Sequence, residues 1–194
     1  MATQDQSEKD RIESVVKRAQ DGCANAFDEL VDAYSSRVYG FLFRLIGRRD
    51  EAEELAQDVF VRVVRSIHGY QDQGKFDAWL FRIASNLVRD RVRKQVRAPR
   101  IQPLIRDDDE SPKIEAVVDP MHPAPDEGMR KRDDADKLQH ALAQLSEAER
   151  EVIMLRHYSQ MSFQEIAEVM ETPLGTALAR GHRGLGKLKE LLEE

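Results

Sequence analysis

Apolar residues recur at intervals of three and four through most of the chain, the spacing of amphipathic helices. The first strong run is Phe27, Leu30, Val31, Tyr34, Val38, Phe41, Leu42 and Leu45, ended by Gly47. A second run follows Asp50, read as its N-cap. Ala52, Leu55, Ala56, Val59, Phe60, Val63, Val64 and Ile67 lie on one face, and Glu51, Glu53, Glu54, Gln57 and Asp58 on the other. The third spans residues 75–97. Trp79, Leu80, Ile83, Ala84, Leu87, Val88 and Val92 form its apolar stripe, and Arg82, Asn86, Arg89, Asp90, Arg93 and Lys94 its opposite side. Residues 1–24 form a polar N-terminal segment with a short amphipathic hint in Ile12, Val15, Val16 and Ala19. Three amphipathic helices with short connections predict one small helical domain over residues 25–97.

The character then changes. Pro99, Pro103, Pro112, Pro120, Pro123 and Pro125 fall in one stretch with Asp107, Asp108, Asp109 and Glu110, which predicts an extended acidic linker over residues 98–130. Composition leaves open whether it is a spacer or has a role of its own. Periodicity resumes near Lys131, with Leu138, Ala141, Leu142 and Leu145 on one face. Ser146 with Glu149, and Ser162 with Glu165, have the spacing of capping boxes, each opening a further helix. Thr172 and Pro173 introduce a last helix from about Leu174, which carries Arg180, His182, Arg183, Lys187 and Lys189. A short helix, a tight turn and a second helix bearing bases is a helix-turn-helix. The expected fold is all-α: two small helical domains joined by a Pro-rich acidic linker, the second, residues 131–194, a four-helix domain containing the helix-turn-helix.

The totals narrow the class. No apolar run is long enough to span a bilayer and MATQDQSEKD has no hydrophobic segment, so a cytoplasmic protein without membrane insertion is expected. Cys23 is the single cysteine, which excludes an intramolecular disulfide and a cysteine-based zinc site. His68, His122, His140, His157 and His182 are scattered, and no phosphate loop, paired helical histidines or Ser–His–Asp spacing stands out. No catalytic residue, cofactor or metal is expected. The net charge of -6 at pH 7 opposes nucleic-acid binding only as a sum. Along residues 75–97 an amide, Asn86, sits among guanidiniums, and such a face can read a base edge while its neighbours hold phosphates. A merely solvated helix face is the plainer alternative.

Three segments carry a resemblance: DEAEELAQDVFVRV at residues 50–63, KFDAWLFRIASNLVRDRVRK at 75–94 and LSEAEREVIMLRHYSQMSFQEIAEVM at 145–170. Together, in this order and at this separation, they resemble the extracytoplasmic-function sigma factors, the two-domain branch of bacterial RNA polymerase sigma subunits. The resemblance implies a non-enzymatic promoter-specificity subunit that binds core RNA polymerase and promoter DNA and helps melt the minus-ten region. Residues 25–97 would be sigma region 2 and residues 131–194 sigma region 4. It implies that Glu54, Gln57, Asp58 and Phe60 dock on core polymerase. It also implies that Tyr70, Lys75 and Phe76 capture an unstacked base, since aromatic faces and cations suit single-stranded DNA. Asn86 and Asp90 would read the minus-ten element, with Arg89, Arg93 and Lys94 on phosphates. Trp79, in the apolar stripe, is assigned to the core. The last helix, through Thr176, Ala179, Arg180, His182, Arg183 and Lys187, would enter the minus-thirty-five groove. An anti-sigma factor is a further implied partner, and the acidic linker would run toward the RNA exit path.

The last helix departs from the family pattern. Glu171 stands at the usual glycine of the turn, Leu178 at a usual base, Ala179 at a small polar residue, and Gly181, Gly184 and Gly186 replace better helix formers. Each interior glycine costs about 0.8–1 kcal/mol relative to alanine. A weakened, less basic recognition helix that depends on polymerase or another partner is therefore expected. Two other readings remain: a helix-turn-helix regulator that binds operator DNA alone, and a sigma-like protein that only titrates a regulator.

Overall fold

The computed structural model describes residues 2–71, 74–97 and 125–193, apart from the side chains of 2–9, 95–97 and 125–133. The acidic stretch 107–110 and residues 98–124 of the expected linker lie outside the described residues. In order come α1 (Ala2–Gln20), α2 (Ala24–Ile46), α3 (Arg49–Ser66), a 3-10 turn (Ile67–Gly69), α4 (Phe76–Arg97), α5 (Pro125–Ala143), α6 (Glu147–Ser159), α7 (Phe163–Val169) and α8 (Leu174–Glu193). There is no strand among the described residues.

The first domain is larger at its start than the periodicity suggests. Four apolar residues of α1, Ile12, Val15, Val16 and Ala19, are all buried, and α1 packs on α2. One short stripe suffices because α2 supplies the other wall of the core. Gln20 then ties α1 to the loop after α3, its Nε2 donating to the carbonyls of Ile67 at 3.0 Å and Tyr70 at 2.5 Å. Gly47 ends α2 in the left-handed region, at φ 77°, with its N–H on the Phe43 carbonyl at 2.7 Å. The N-cap of α3 is Arg48, and Asp50 lies inside the first turn beside Glu51. There its charge suits the helix dipole without capping a backbone donor. Val64, assigned to the core by spacing, is instead 48% exposed, because the buried stripe of α3 is Ala52, Leu55, Val59 and Val63.

In the second domain, α5 begins at Pro125 rather than near Lys131. A proline followed by Asp126 and Glu127 has the composition of an acidic linker, yet it also suits a first helical turn, where an N–H is dispensable and negative charge is favoured. Both capping boxes are formed, Ser146 with Glu149 and Ser162 with Glu165.

The glycines of α8 divide into two kinds. A Cβ on Gly181 would lie 2.6 Å from the Phe163 ring, and one on Gly184 would lie 2.8 Å from Ile153 Cδ1 and 3.2 Å from Glu149 Cβ, whereas one on Gly186 would meet nothing within 4 Å. Gly181 and Gly184 thus let α8 pack directly on α6 and α7. This corrects the expectation of a weakened helix at those two positions: backbone cost is exchanged for close interhelical packing. Gly186, like Gly175 in the first turn of α8, leaves its cost uncompensated by contact.

The two domains close on one another. α6 packs against α2 and α4, and a single core cluster runs from Val16 through Phe41 and Phe81 to Leu155 and Ile166. Tyr158 is the contact residue. Its ring meets Phe41 and Phe81 with centroids 5.8 Å away in each case, and Gly40 leaves the room it needs.

Candidate nucleic-acid interface

The residues expected to meet the minus-ten strand gather at the start of α4 and the loop before it. Phe76 does not face that strand: it is 4% exposed, with its ring edge-on to Tyr34 at 5.4 Å and Tyr70 at 5.8 Å. Trp79 has the opposite fate. Assigned to the core, it is half-buried and carries Tyr70 on its ring at 4.7 Å, tilted by 34°. Helical spacing alone cannot decide between these two, since residues three apart on α4 border the same face. The buried aromatic supports the Tyr70–Trp79 pair, and the pair lines a cleft of about 490 Å³ with Lys75 and Arg82. The cleft extends to Met161, Glu165 and Glu168 of the second domain. Arg82, exposed at this rim, was on the polar face but missing from the expected contacts. Its position one turn from Trp79 is the signal that marks it.

Beyond the cleft, Asn86, Asp90, Arg93 and Lys94 are exposed along α4, and Arg89 is half-buried. Arg89 donates to Asn86 Oδ1 at 2.7 Å and to the Val169 carbonyl at 2.5 Å, with its Nε 3.3 Å from Glu151 Oε1. Arg93 lies 3.8 Å from Asp90 in an exposed pair. Lys75 Nζ meets Glu165 Oε1 at 2.6 Å. That amine, followed by the N-cap donors of Ser162, holds the Glu165 carboxyl down at about 2. Glu151 is shifted the other way: burial pushes its carboxyl up, opposed by the Ser85 hydroxyl and the Arg89 charge.

On α3, Glu54, Gln57 and Asp58 are exposed as a polymerase-docking face requires, while Phe60 is half-buried against the core. Glu54 is engaged by Arg91 of α4. Val61 at 47% and Val64 at 48% exposure add apolar area to this side of α3. Sequence reasoning did not single them out as surface, because β-branched residues at near-helical spacing look like core.

The residues expected at the minus-thirty-five groove do not form one free basic face. His182 is exposed, and Thr176, Ala179 and Arg180 are half-buried. Arg183 Nε lies 3.3 Å from Glu149 Oε1 and Lys187 Nζ 3.0 Å from Glu149 Oε2. Glu149 is 4% exposed and serves as the capping-box acid of α6. Its carboxyl is held down at about 2 by the Lys187 amine, the Ser146 hydroxyl and then Arg183. Two of the six expected contacts therefore also bind α8 to α6. The turn before α8 places Glu171 at φ 49°, the left-handed conformation that glycine would adopt without strain.

The same two units are found by comparison with known proteins. Residues 30–98 match the model for Sigma-70 region 2, and residues 135–188 the model for Sigma-70, region 4. RNA polymerase sigma factor CarQ of Myxococcus xanthus is 35% identical over 182 residues, covering 92% of this chain and 96% of CarQ. The chain belongs to the extracytoplasmic-function sigma factors. Another relative, ECF RNA polymerase sigma factor SigW of Bacillus subtilis, is 29% identical over 184 residues, covering 94% of this chain and 97% of SigW. Among solved structures, sigma factor RpoE in complex with the anti-sigma factor NepR from Bartonella quintana shares the fold with a TM-score of 0.66. It is 24% identical, covering 86% of this chain and 96% of that one. As a sigma factor the chain is a promoter-specificity subunit of RNA polymerase and brings no catalysis of its own to initiation. No helix among the described residues is long and apolar enough to cross a membrane.

Proposed function

We propose that α3 docks this sigma factor on core RNA polymerase through Glu54, Gln57 and Asp58, with Phe60 as the half-buried support beneath them. The loop at Tyr70 and the start of α4 then capture melted minus-ten bases. Tyr70 and Trp79 supply stacking faces, Lys75 and Arg82 neutralise phosphate at the rim, and Asn86 with Asp90 reads base edges one turn apart. Arg89, Arg93 and Lys94 hold the strand further along α4. The functional units are residues 2–97 for polymerase and minus-ten DNA, and 125–193 for the minus-thirty-five element. In the latter, Thr176, Ala179, Arg180 and His182 meet the duplex, and Arg183 and Lys187 divide their charge between Glu149 and phosphate. The protein works in the cytoplasm, and an anti-sigma factor is a further partner, since the solved relative was captured with one.

The observation that carries this reading is the continuity of the aromatic pair with the cation-and-amide face of α4. A strand seated on Tyr70 and Trp79 is led directly along Arg82, Asn86 and Arg89. Transcription by core polymerase reconstituted with this chain on a promoter library tests it. Trp79→Ala and Tyr70→Ala should each reduce open-complex formation by about fivefold or more while leaving polymerase association unchanged, given about 1–3 kcal/mol per stacked base. Phe76→Leu, at a buried site, should lower stability with little effect on DNA at a temperature where the variant is folded. If DNA is shifted without polymerase and polymerase gains no start site, an operator-binding regulator is the better description.

A further inference from the structure

A second cleft, of about 450 Å³, opens where the end of α2, the start of α3, the second half of α4 and the first turns of α6 meet. Leu45, Ile46, Val88 and Val92, all half-buried, make its apolar side, and guanidiniums and carboxylates stand around them. It shares Arg89 and Arg93 with the face assigned to DNA, and the rest of its wall has no part in that reading. An apolar hollow of this size with a few charged groups, set between two domains, has the form of a small-molecule site.

Four of the five arginines on its wall already face a carboxylate. Arg48 meets Glu51 at 2.6 Å, Arg89 lies 3.3 Å from Glu151, Arg91 engages Glu54, and Arg93 lies 3.8 Å from Asp90. Arg150 is different: among the described residues it has carbonyl partners and no ion pair. Its Nη1 donates to the Leu45 carbonyl at 2.7 Å, and its Nη2 to the carbonyls of Ala143 at 3.1 Å and Leu145 at 3.2 Å. These neutral acceptors satisfy N–H groups without cancelling the charge; one hydrogen on Nη1 is left over, and Nε is buried without a hydrogen bond. Burial pushes the Arg150 guanidinium down from its ordinary range, opposed by the charge of Glu147, which is exposed at the rim. A partly desolvated cation of this kind gains more from an incoming anion than an exposed one does.

We propose that this cleft binds a small organic carboxylate, its apolar body against Leu45, Ile46, Val88 and Val92 and its acid head on Arg150. One head suffices, because Arg150 alone among the lining arginines lacks an acidic partner among the described residues. An inorganic anion would leave the apolar wall uncovered, and a neutral apolar molecule would cover the guanidinium without offering it an acceptor. Glu147 at the rim repels the head and so moderates the affinity. The site goes beyond the promoter-binding role and does not depend on it.

Naphthoate is the probe, a flat apolar body with one carboxylate, and naphthylmethanol is its uncharged counterpart. Inorganic phosphate, added alone, supplies charge without an apolar body. Titration of the isotope-labelled full-length chain, followed through the backbone amide signals of Leu45, Val88 and Arg150 in NMR spectra, gives affinity and place together. Three variants test the parts. Arg150→Gln removes the partner of the head, and Glu147→Gln removes the opposing charge at the rim. Val92→Phe fills the cleft from a half-buried position outside the core cluster, so the fold does not depend on it.

Naphthoate should bind with a Kd of about 1 mM or tighter, and naphthylmethanol about tenfold more weakly. Arg150→Gln should weaken naphthoate by about tenfold with little change for the alcohol, and Val92→Phe should abolish the binding of both. Glu147→Gln should tighten naphthoate by about two- to threefold and leave the alcohol unchanged. Amide signals that stay still at about ten times that concentration overturn the proposal. Equal affinity for acid and alcohol, or for phosphate and naphthoate, overturns the pairing of an apolar body with an anionic head. Naphthoate binding unchanged in Val92→Phe, with circular dichroism showing the fold intact, places the compound elsewhere and overturns the site. That arm stands even where Arg150→Gln, which gives up three bonds to carbonyls, fails to fold.

Discussion

Gly184→Ala isolates the purpose of the glycines in α8. In an open helix interior the change stabilises by about 0.8–1 kcal/mol, the difference in helix propensity. At Gly184 the new methyl would lie 2.8 Å from Ile153 Cδ1, 3.2 Å from Glu149 Cβ and 3.5 Å from the Glu149 carbonyl oxygen. The Ile153 methyl can rotate, but Cβ and backbone of Glu149 belong to α6, so relief requires α6 and α8 to separate. Overpacking of this kind costs about 1–3 kcal/mol, which outweighs the propensity gain and leaves a net loss of up to about 2 kcal/mol. Separation also stretches the contacts of Arg183 and Lys187 with Glu149, which adds to the loss. Gly186→Ala is the matched control, since its Cβ meets nothing within 4 Å and only propensity acts. At about 2–4 °C per kcal/mol for a chain of this size, thermal melts followed by circular dichroism should place Gly186→Ala about 2–4 °C above the parent and Gly184→Ala below it. Equal stabilisation by both alanines would show that α8 does not need a bare backbone against α6, and the packing argument would be refuted.

Two further outcomes follow from local chemistry. Glu171→Gly should stabilise the second domain by about 1 kcal/mol, because a left-handed residue with a Cβ is strained where glycine is not; a lower urea midpoint for the variant would contradict this. Acid should loosen the same domain through Glu149 and Glu165, whose carboxyls are held at about 2 against an ordinary 4.5. Their folded values are depressed, so their stabilisation is present above about 4.5 and is lost as pH falls toward about 2; urea midpoints measured down through this range should fall less steeply in the Glu149→Gln, Glu165→Gln double variant.

How much could be read in advance depends on the range of the interaction. The capping boxes at Ser146 and Ser162, the left-handed glycine closing α2 and the stripes of α2, α3 and α6, apart from the exposed Val31 and Val64, are all settled within a turn or two of chain, and the sequence displays them directly. The sigma-factor motifs belong to the same category, being short runs in fixed order. Position on a face was less legible. Phe76 and Trp79 border one face three residues apart, and only the packing of α1 and α2 around Tyr34 sends Phe76 inward and leaves Trp79 at the cleft.

The chain's own order of residues was enough to determine most of the helices, several of their ends and the family to which two such modules belong, since hydrophobic periodicity and end-capping act between neighbours along the backbone. Tertiary structure alone decided what Gly181 and Gly184 are for, which bases already hold a carboxylate, and that the acids of α6 and α7 lie across the cations of α4. Those outcomes join residues between about 20 and 90 positions apart, set by how closely helices approach, a distance that no local pattern encodes.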